Sequence, residues 1–161
     1  MTDANIFQTN TKYSYFILVA FSLFILKGKS IYSMIFLFGY LISGLLNVIL
    51  KYVFFIPRPD IDKEKIYTDL KYKYNNNRLF IPTGNLDFPS GHTQLLFYIM
   101  IFMFQFPLTN LQYFIFIASS TLEFYYIYEK NCHTFLSCIV GALLGACLGY
   151  VFHLQAKKMI K

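Results

Sequence analysis

Two apolar runs of the chain are long enough to cross a membrane, and they constrain the fold more than any other feature. They cover residues 31–56 and 133–154, and a helix needs about 20 apolar residues to span a bilayer. Three shorter apolar runs cover residues 13–27, 91–106 and 109–128. We therefore predict an all-α integral membrane bundle of about five transmembrane helices, forming a single domain over residues 1–161.

The composition is typical of a membrane protein and excludes several other classes. Of the 161 residues, 57% are hydrophobic and 14% are charged, whereas about 25% are charged in a soluble domain. The net charge of +6 comes from basic residues near the ends of apolar runs, where they anchor helices, so we predict no nucleic-acid partner. The three cysteines lack metal-type spacing, which favours buried thiols over a metal site.

One long polar segment, from about residue 57 to 88, separates the second and third apolar runs. With five spans, this segment lies on the same membrane face as the N-terminus. The opposite face carries lysines near helix ends, namely Lys27, Lys29, Lys157, Lys158 and Lys161. Because such lysines favour the cytoplasm, we predict that the long segment faces the extracytoplasmic or lumenal side.

Several polar residues lie where apolar runs meet the membrane face of the long segment. Lys51 precedes Arg58 by two helical turns, so both lie on one face if the second helix continues to Pro59. Lysine and arginine side chains that converge in this way bind anions. Ser90 and Gly91 are typical of a helix start, and the N–H groups and dipole of a helix start also bind anions.

Two histidines complete this set. His92 lies in the first turn of the third helix, and His133 approaches from the start of the fifth. Two histidines beside two cations are typical of phosphoryl transfer through a histidine nucleophile. Taken singly, Lys51 and Arg58 also fit interfacial anchors, and the turn at Ser90 also fits a simple cap. Their order and their shared membrane face favour a phosphate site.

These motifs resemble the type-2 phosphatidic acid phosphatase (PAP2) superfamily, the histidine-nucleophile lipid phosphatases, over about residues 35–152. The first family motif is a lysine, six residues and then Arg-Pro, which Lys51 and Arg58-Pro59 match. The second is Pro-Ser-Gly-His, which residues 89–92 match. The third is Ser-Arg, five residues, a histidine, three residues and an aspartate, of which this chain has only the histidine, His133.

The third motif departs from the family pattern at three positions. Tyr126 and Ile127 stand where the family has Ser-Arg, and Ser137 stands where it has the aspartate. Lys130 is the nearest cation to the absent arginine. The dolichyl-pyrophosphate phosphatase branch is similar in having a neutral polar residue at the acidic position, and FPSGHTQLLFY is similar to its second motif.

The resemblance implies a membrane helical bundle with its site at the interface and with no metal or other cofactor. His133 would attack phosphorus to form a phosphohistidine, and His92 would protonate the leaving group. The phosphate-binding residues would be Lys51, Arg58, Ser90, Gly91 and Lys130. Ser137 would orient the His133 ring. The substrate would be a lipid phosphate or pyrophosphate, with a polyprenyl pyrophosphate preferred.

Two other functions fit the same residues. A catalytically inactive member could serve as a membrane scaffold or lipid binder, since Ile127 and Ser137 weaken the third motif. A lipid phosphotransferase could pass the phosphoryl group or the headgroup to an alcohol instead of water. An acceptor alcohol would distinguish the transferase, because only that enzyme would make a new phospholipid.

Three glycines of the last apolar run, at positions 141, 145 and 149, share one helix face. This spacing lets helix backbones approach closely in lipid. We predict a packing role for this face, which could serve a homo-oligomer as well as the bundle.

Overall fold

The computed structural model describes residues 17–59, 86–129 and 133–160, except for the side chains of Tyr126, Tyr128 and Glu129. These residues form five helices: α1 (described over 17–25), α2 (Ser30–Phe54), α3 (Gly91–Met103), α4 (Asn110–Glu129) and α5 (Phe135–Met159). No β-strand occurs within these three ranges, so the predicted all-α fold is confirmed. Most of the predicted long polar segment, residues 60–85, lies outside the described residues.

Two of the helices, α2 and α5, are long and apolar enough to cross a membrane, with 25 residues each. The 13 residues of α3 extend only about 20 Å, whereas the hydrocarbon layer is about 30 Å thick. α4 has 20 residues, but Ser119, Ser120, Thr121 and Glu123 interrupt its apolar character. The count of five transmembrane helices therefore stays a prediction.

α3 packs against both long helices and contributes much of the core. Its buried residues Tyr98 and Phe102 belong to one hydrophobic cluster with Phe36 of α2 and Phe116 of α4. The Tyr98 hydroxyl donates a hydrogen bond to the Phe36 carbonyl at 2.8 Å, which satisfies a polar group inside this cluster. The short helix is thus held by side chains of its longer neighbours.

The glycine face of α5 contacts the backbone of α3. A Cβ at Gly149 would lie 2.6 Å from the Tyr98 carbonyl oxygen, and a Cβ at Gly145 would overlap the Gln94 carbonyl oxygen. Close backbone contact of this kind needs residues without side chains. The predicted packing role is therefore confirmed within the bundle, and α3 rather than a second copy covers this face.

α2 ends four residues before Arg58, so the helix that would have placed Lys51 and Arg58 on one face does not continue. Its last helical residue is Phe54. Phe55 adopts a left-handed conformation with φ of 50°, and its N–H donates to the Lys51 carbonyl at 2.9 Å. This is a common way to end a helix. Arg58 consequently reaches the site from an extended segment.

Two prolines explain why α2 ends early. Pro57 has no N–H to donate within a helix, and Pro59 disfavours helical geometry in the residue before it. The chain instead forms an antiparallel bridge between Pro57 and Leu86. Next to this bridge, the Asp87 N–H donates to the Ile56 carbonyl at 2.7 Å. These contacts bring the segment after α2 beside the segment before α3.

Candidate active site

One end of the bundle collects the residues that carry the predicted chemistry. Arg58 comes from the segment after α2, His92 from the first turn of α3, and His133 from just before α5. Nη2 of Arg58 lies 3.4 Å from Nε2 of His133. The rings of His92 and His133 lie 6.2 Å apart between their centroids. The structure therefore brings a cation and a second imidazole beside the same histidine.

A carboxylate contacts the other nitrogen of the His133 ring. Oδ1 of Asp87 lies 2.7 Å from Nδ1 of His133. Burial raises the pKa of the Asp87 carboxyl, but hydrogen bonds with His133 and Thr134 outweigh burial and hold that pKa below its usual range. An ionised carboxylate can only accept hydrogen bonds, so the ring proton lies on Nδ1.

The electrostatics of the site keep His133 neutral near pH 7. Burial lowers the pKa of its imidazole, the Asp87 hydrogen bond raises it, and the charges of Arg58 and Lys51 lower it again. The net direction is downward from the ordinary value of 6.5. With its proton on Nδ1, the neutral ring has a lone pair on Nε2, beside Arg58. A neutral imidazole nitrogen of this kind can act as a nucleophile.

The Arg58 guanidinium has an unused donor. Its Nε is buried and has no hydrogen-bond partner among the residues that the structure describes. A buried donor without a partner costs about 1–3 kcal/mol, more when it is charged. Arginine matches the geometry of phosphate oxygens, which are strong acceptors. A phosphoryl group bound to the guanidinium would supply an acceptor for this donor.

Two buried side chains of α2 donate hydrogen bonds to the segment 86–90, one near the start of this segment and one near its end. Lys51 is buried, and its Nζ donates to the Leu86 carbonyl. One turn earlier, Nδ2 of Asn47 donates to the Pro89 carbonyl at 3.2 Å and to Oε1 of Gln94 at 2.9 Å. Part of the role of Lys51 is therefore structural, since it orders the backbone that leads into α3.

Ser90 and Gly91 build the start of α3. The Ser90 hydroxyl accepts from the Thr93 N–H at 3.4 Å, and the Ser90 N–H donates to the Ser137 carbonyl at 3.1 Å. A Cβ on Gly91 would lie 2.7 Å from Oδ1 of Asn47, so glycine permits this close approach. The predicted helix start is present. The first N–H groups of a helix are suited to bind an anion at this place.

A family comparison now adds to the geometry. The family model described as PAP2 superfamily matches residues 32–161, most of the chain. The chain belongs to the PAP2 superfamily. Comparisons with curated proteins and with solved structures found no match to this chain.

PAP2 membership confirms the resemblance seen in the motifs. Proteins of the PAP2 superfamily are generally phosphatases, so membership indicates phosphatase activity. Together with the two apolar helices, it also indicates a membrane protein. A closer relation to the dolichyl-pyrophosphate branch stays a prediction.

Ser137, at the acidic position of the third PAP2 motif, has a different contact from the one predicted. Ser137 does not orient the His133 ring directly as predicted, because Asp87 already occupies Nδ1. The Ser137 hydroxyl instead donates to the backbone carbonyl of Asp87 at 2.7 Å. The sequence contained one signal for Asp87. It is the acidic residue of the long polar segment nearest to the Pro-Ser-Gly-His motif, so its place in the chain puts it close to the site.

The arginine position of the third PAP2 motif holds a buried isoleucine, Ile127. An isoleucine cannot bind phosphate, and the cation observed next to His133 is Arg58 of the first motif. Lys130, predicted to replace the absent arginine, lies outside the described residues, as does the side chain of Tyr126. Within the described part of the chain, Arg58 is therefore the arginine that lies beside His133.

We expect Arg58→Ala to lower kcat/KM for phosphate release about 10²-fold or more, because it removes the guanidinium that lies 3.4 Å from Nε2 of His133. Arg58→Lys should retain part of the activity, since lysine supplies the charge without the planar fork. Steady-state kinetics on detergent-purified protein would measure both effects. Lys158→Ala, at the opposite end of α5, is the control for loss of a positive charge. Equal kinetics for Arg58→Ala and this control would contradict a role for Arg58.

Proposed function

We propose that this chain is an integral-membrane lipid phosphatase that works through a phosphohistidine at His133. One observation carries the proposal: His133 has a neutral Nε2 with Arg58 at 3.4 Å, while its Nδ1 is bound by a carboxylate. This arrangement supports nucleophilic attack on an anionic phosphoryl group, which the guanidinium would attract and neutralise.

The first step transfers the phosphoryl group to the enzyme. The lone pair on Nε2 of His133 forms a bond to phosphorus, and the bond from phosphorus to the leaving oxygen breaks. His92, which takes up a proton from water when the anionic phosphoryl group binds beside it, gives that proton to the leaving oxygen, so the lipid alcohol or lipid phosphate leaves without excess charge. The two ring centroids lie 6.2 Å apart, so a phosphoryl group that reacts with His133 lies close to the ring of His92.

The second step returns the enzyme to its starting state. Water attacks phosphorus, neutral His92 accepts a proton from the water, and the bond between phosphorus and Nε2 of His133 breaks. Inorganic phosphate then leaves. Arg58 and the N-terminus of α3 stabilise the charge on the phosphoryl oxygens in both steps.

A lipid substrate is supported by the apolar surroundings of the site. Shortly before Arg58, the end of α2 and the residues after it expose Val53, Phe54 and Ile56, and shortly after His133, the start of α5 exposes Phe135 and Leu136. A lipid chain beside these residues would place its headgroup at the histidines. We propose a lipid phosphate or pyrophosphate, with a polyprenyl pyrophosphate preferred, and a site on the extracytoplasmic or lumenal face of a five-span protein.

The inactive-scaffold alternative was motivated by Ile127 and Ser137. The presence of Arg58 and Asp87 beside His133 weighs against it, because the lost charges of the third motif have nearby counterparts. The phosphotransferase alternative uses the same first step and differs only in the acceptor. Supplying an alcohol in the assay would distinguish transfer from hydrolysis.

The proposal is tested by phosphate release from the purified full chain in detergent, without added metal. We expect release from a polyprenyl pyrophosphate or from phosphatidic acid, and the faster substrate would rank the two lipids. The acid limb of the pH profile should lie below pH 6.5, because His133 must be neutral and its pKa is lowered. Folded protein that releases no phosphate from either lipid would favour the scaffold.

We expect His92→Gln to slow release from an alkyl phosphate about 10²-fold or more, because an alkoxide leaves poorly without a proton. Release from a nitrophenyl phosphate should fall much less, since a nitrophenolate leaves without one. The comparison therefore separates loss of an acid from general damage to the site. An equal loss on both esters would contradict the assignment of His92 as the acid.

A further inference from the structure

Asp87, the acid that contacts His133, also accepts hydrogen bonds from the neighbouring residue Thr134. Oδ1 of Asp87 also accepts from the Thr134 N–H at 3.1 Å, and Oδ2 accepts from the Thr134 hydroxyl at 2.7 Å. The side chain is nearly fully buried, with 1% exposure for the residue. Both carboxylate oxygens therefore have donors, and the donors belong to His133 and the residue that follows it.

The backbone of Asp87 is held from two further directions. Its N–H donates to the Ile56 carbonyl at 2.7 Å, next to the segment that carries Arg58. Its carbonyl accepts from the Ser137 hydroxyl at 2.7 Å. Ser137 occupies the position where the PAP2 pattern has its aspartate. The residue that replaced the usual acid thus supports a different acid, which comes from the segment before α3.

We propose that Asp87 is the positioning residue for His133, in place of the acid that the superfamily carries at the position of Ser137, and that Ser137 has become its support. This inference rests on the proposed function for its catalytic meaning. Asp87 touches no substrate atom; it acts through the imidazole.

The chemical role follows from the two ring nitrogens. A carboxylate that accepts from Nδ1–H fixes the tautomer with an unprotonated Nε2 and holds the ring plane toward the phosphoryl group. After Nε2 bonds to phosphorus, the ring becomes cationic, and the carboxylate at 2.7 Å stabilises it. The proton stays on Nδ1 throughout, so no further acid or base is needed on that side of the ring.

The first test needs no enzymatic activity. The full chain would be prepared in detergent with ¹⁵N- and ¹³C-labelled histidine, and the His133 signals assigned by their loss in His133→Gln. At pH values where the ring is neutral, we expect nitrogen shifts that place the proton on Nδ1. A ring protonated on Nε2 would overturn the proposal.

The second test changes the acid. In Asp87→Asn we expect the titration midpoint of His133 to move to lower pH, because the carboxylate no longer stabilises the imidazolium. We also expect kcat for phosphate release to fall about 10²-fold or more with little change in KM, since the amide favours the wrong tautomer. An unchanged midpoint together with unchanged kcat would overturn the proposal.

A third variant restores the family pattern. Ser137→Asp should lower phosphate release, because it removes the hydroxyl donor to the Asp87 carbonyl and buries a second carboxylate beside the first. Increased release would mean that His133 lacks an acid at position 137, which would overturn the proposal. This variant also keeps the proposal testable if Asp87→Asn does not fold.

These readouts separate the two proposals. If the wild type releases no phosphate but the His133 midpoint shifts in Asp87→Asn, the positioning contact stands and the proposed function fails. If the wild type is active and Asp87→Asn matches it in midpoint and kcat, the function stands and the role of Asp87 fails.

Discussion

Replacing His133 by alanine should reduce phosphate release about 10³-fold or more, to the level of the assay without enzyme. His133 is the imidazole in the described site whose Nε2 faces Arg58 while its Nδ1 is bound to a carboxylate. Removing a covalent nucleophile abolishes the step that it performs, and the remaining groups cannot take its place. Phosphate release and the mass of the quenched protein would both be measured. A phosphorylated wild type should appear only when the sample is quenched at high pH, because phosphohistidine is labile in acid.

The chain supplies a matched control for this experiment. His153 is also buried, but it lies near the other end of α5, where its ring stacks on Tyr32 with centroids 5.5 Å apart. We expect His153→Gln to retain phosphate release, because the side chain is remote from the site. Thermal unfolding of both variants would show whether each is folded. A folded His133→Ala variant with wild-type release would refute the histidine mechanism. A phosphoryl group found on a residue other than His133 would reassign the nucleophile.

The second large effect concerns the contact between α5 and α3. Gly145→Ala should lower the free energy of unfolding by about 1–3 kcal/mol or more, because overpacking forces backbones or side chains to move. The new Cβ would overlap the Gln94 carbonyl oxygen, and a backbone atom cannot turn away as a flexible side chain can. Gln94 also bonds Asn47 and Ser43 of α2, so moving it disturbs both helix contacts. A thermal midpoint several degrees lower in detergent is the expected result.

Gly44→Ala is the matched control for this substitution. A Cβ at Gly44, in the middle of α2, meets nothing within 4 Å. Alanine stabilises a helix interior relative to glycine by about 0.5–1 kcal/mol, so this variant should unfold at the same temperature as the wild type or slightly above it. If Gly145→Ala were as stable as Gly44→Ala, the close packing of α5 on α3 would be wrong.

Much of the helical framework could be predicted from the chain alone. The predicted apolar runs 31–56, 91–106 and 109–128 correspond to helices Ser30–Phe54, Gly91–Met103 and Asn110–Glu129. The start of α3 followed from Ser90 and Gly91, because capping depends on residues that are neighbours in sequence. The helix starts and the second motif were predictable for the same reason: the interactions that decide them are local.

The end of α2 was also a local matter, although the prediction missed it. The prediction took Pro59 as the residue that stops α2, whereas the helix ends at Phe54. Pro57 already lacks the N–H that a helix needs and would crowd the carbonyl of Val53. The sequence thus contained enough information to separate Arg58 from the helical face of Lys51, and the position of Arg58 beyond that point depended on pairing with the segment at Leu86.

By itself, the sequence determined the helices, the apolar surface and the two histidines that a phosphate site requires. Only the tertiary structure decided which acid contacts His133. Asp87 and His133 are 46 positions apart, and their contact forms because the Ile56 and Ser137 contacts hold the segment before α3 against the start of α5. A motif describes residues at fixed spacing along the chain. A carboxylate that arrives from another segment satisfies the same imidazole nitrogen, because hydrogen bonding depends on distance and direction in space and not on position in sequence.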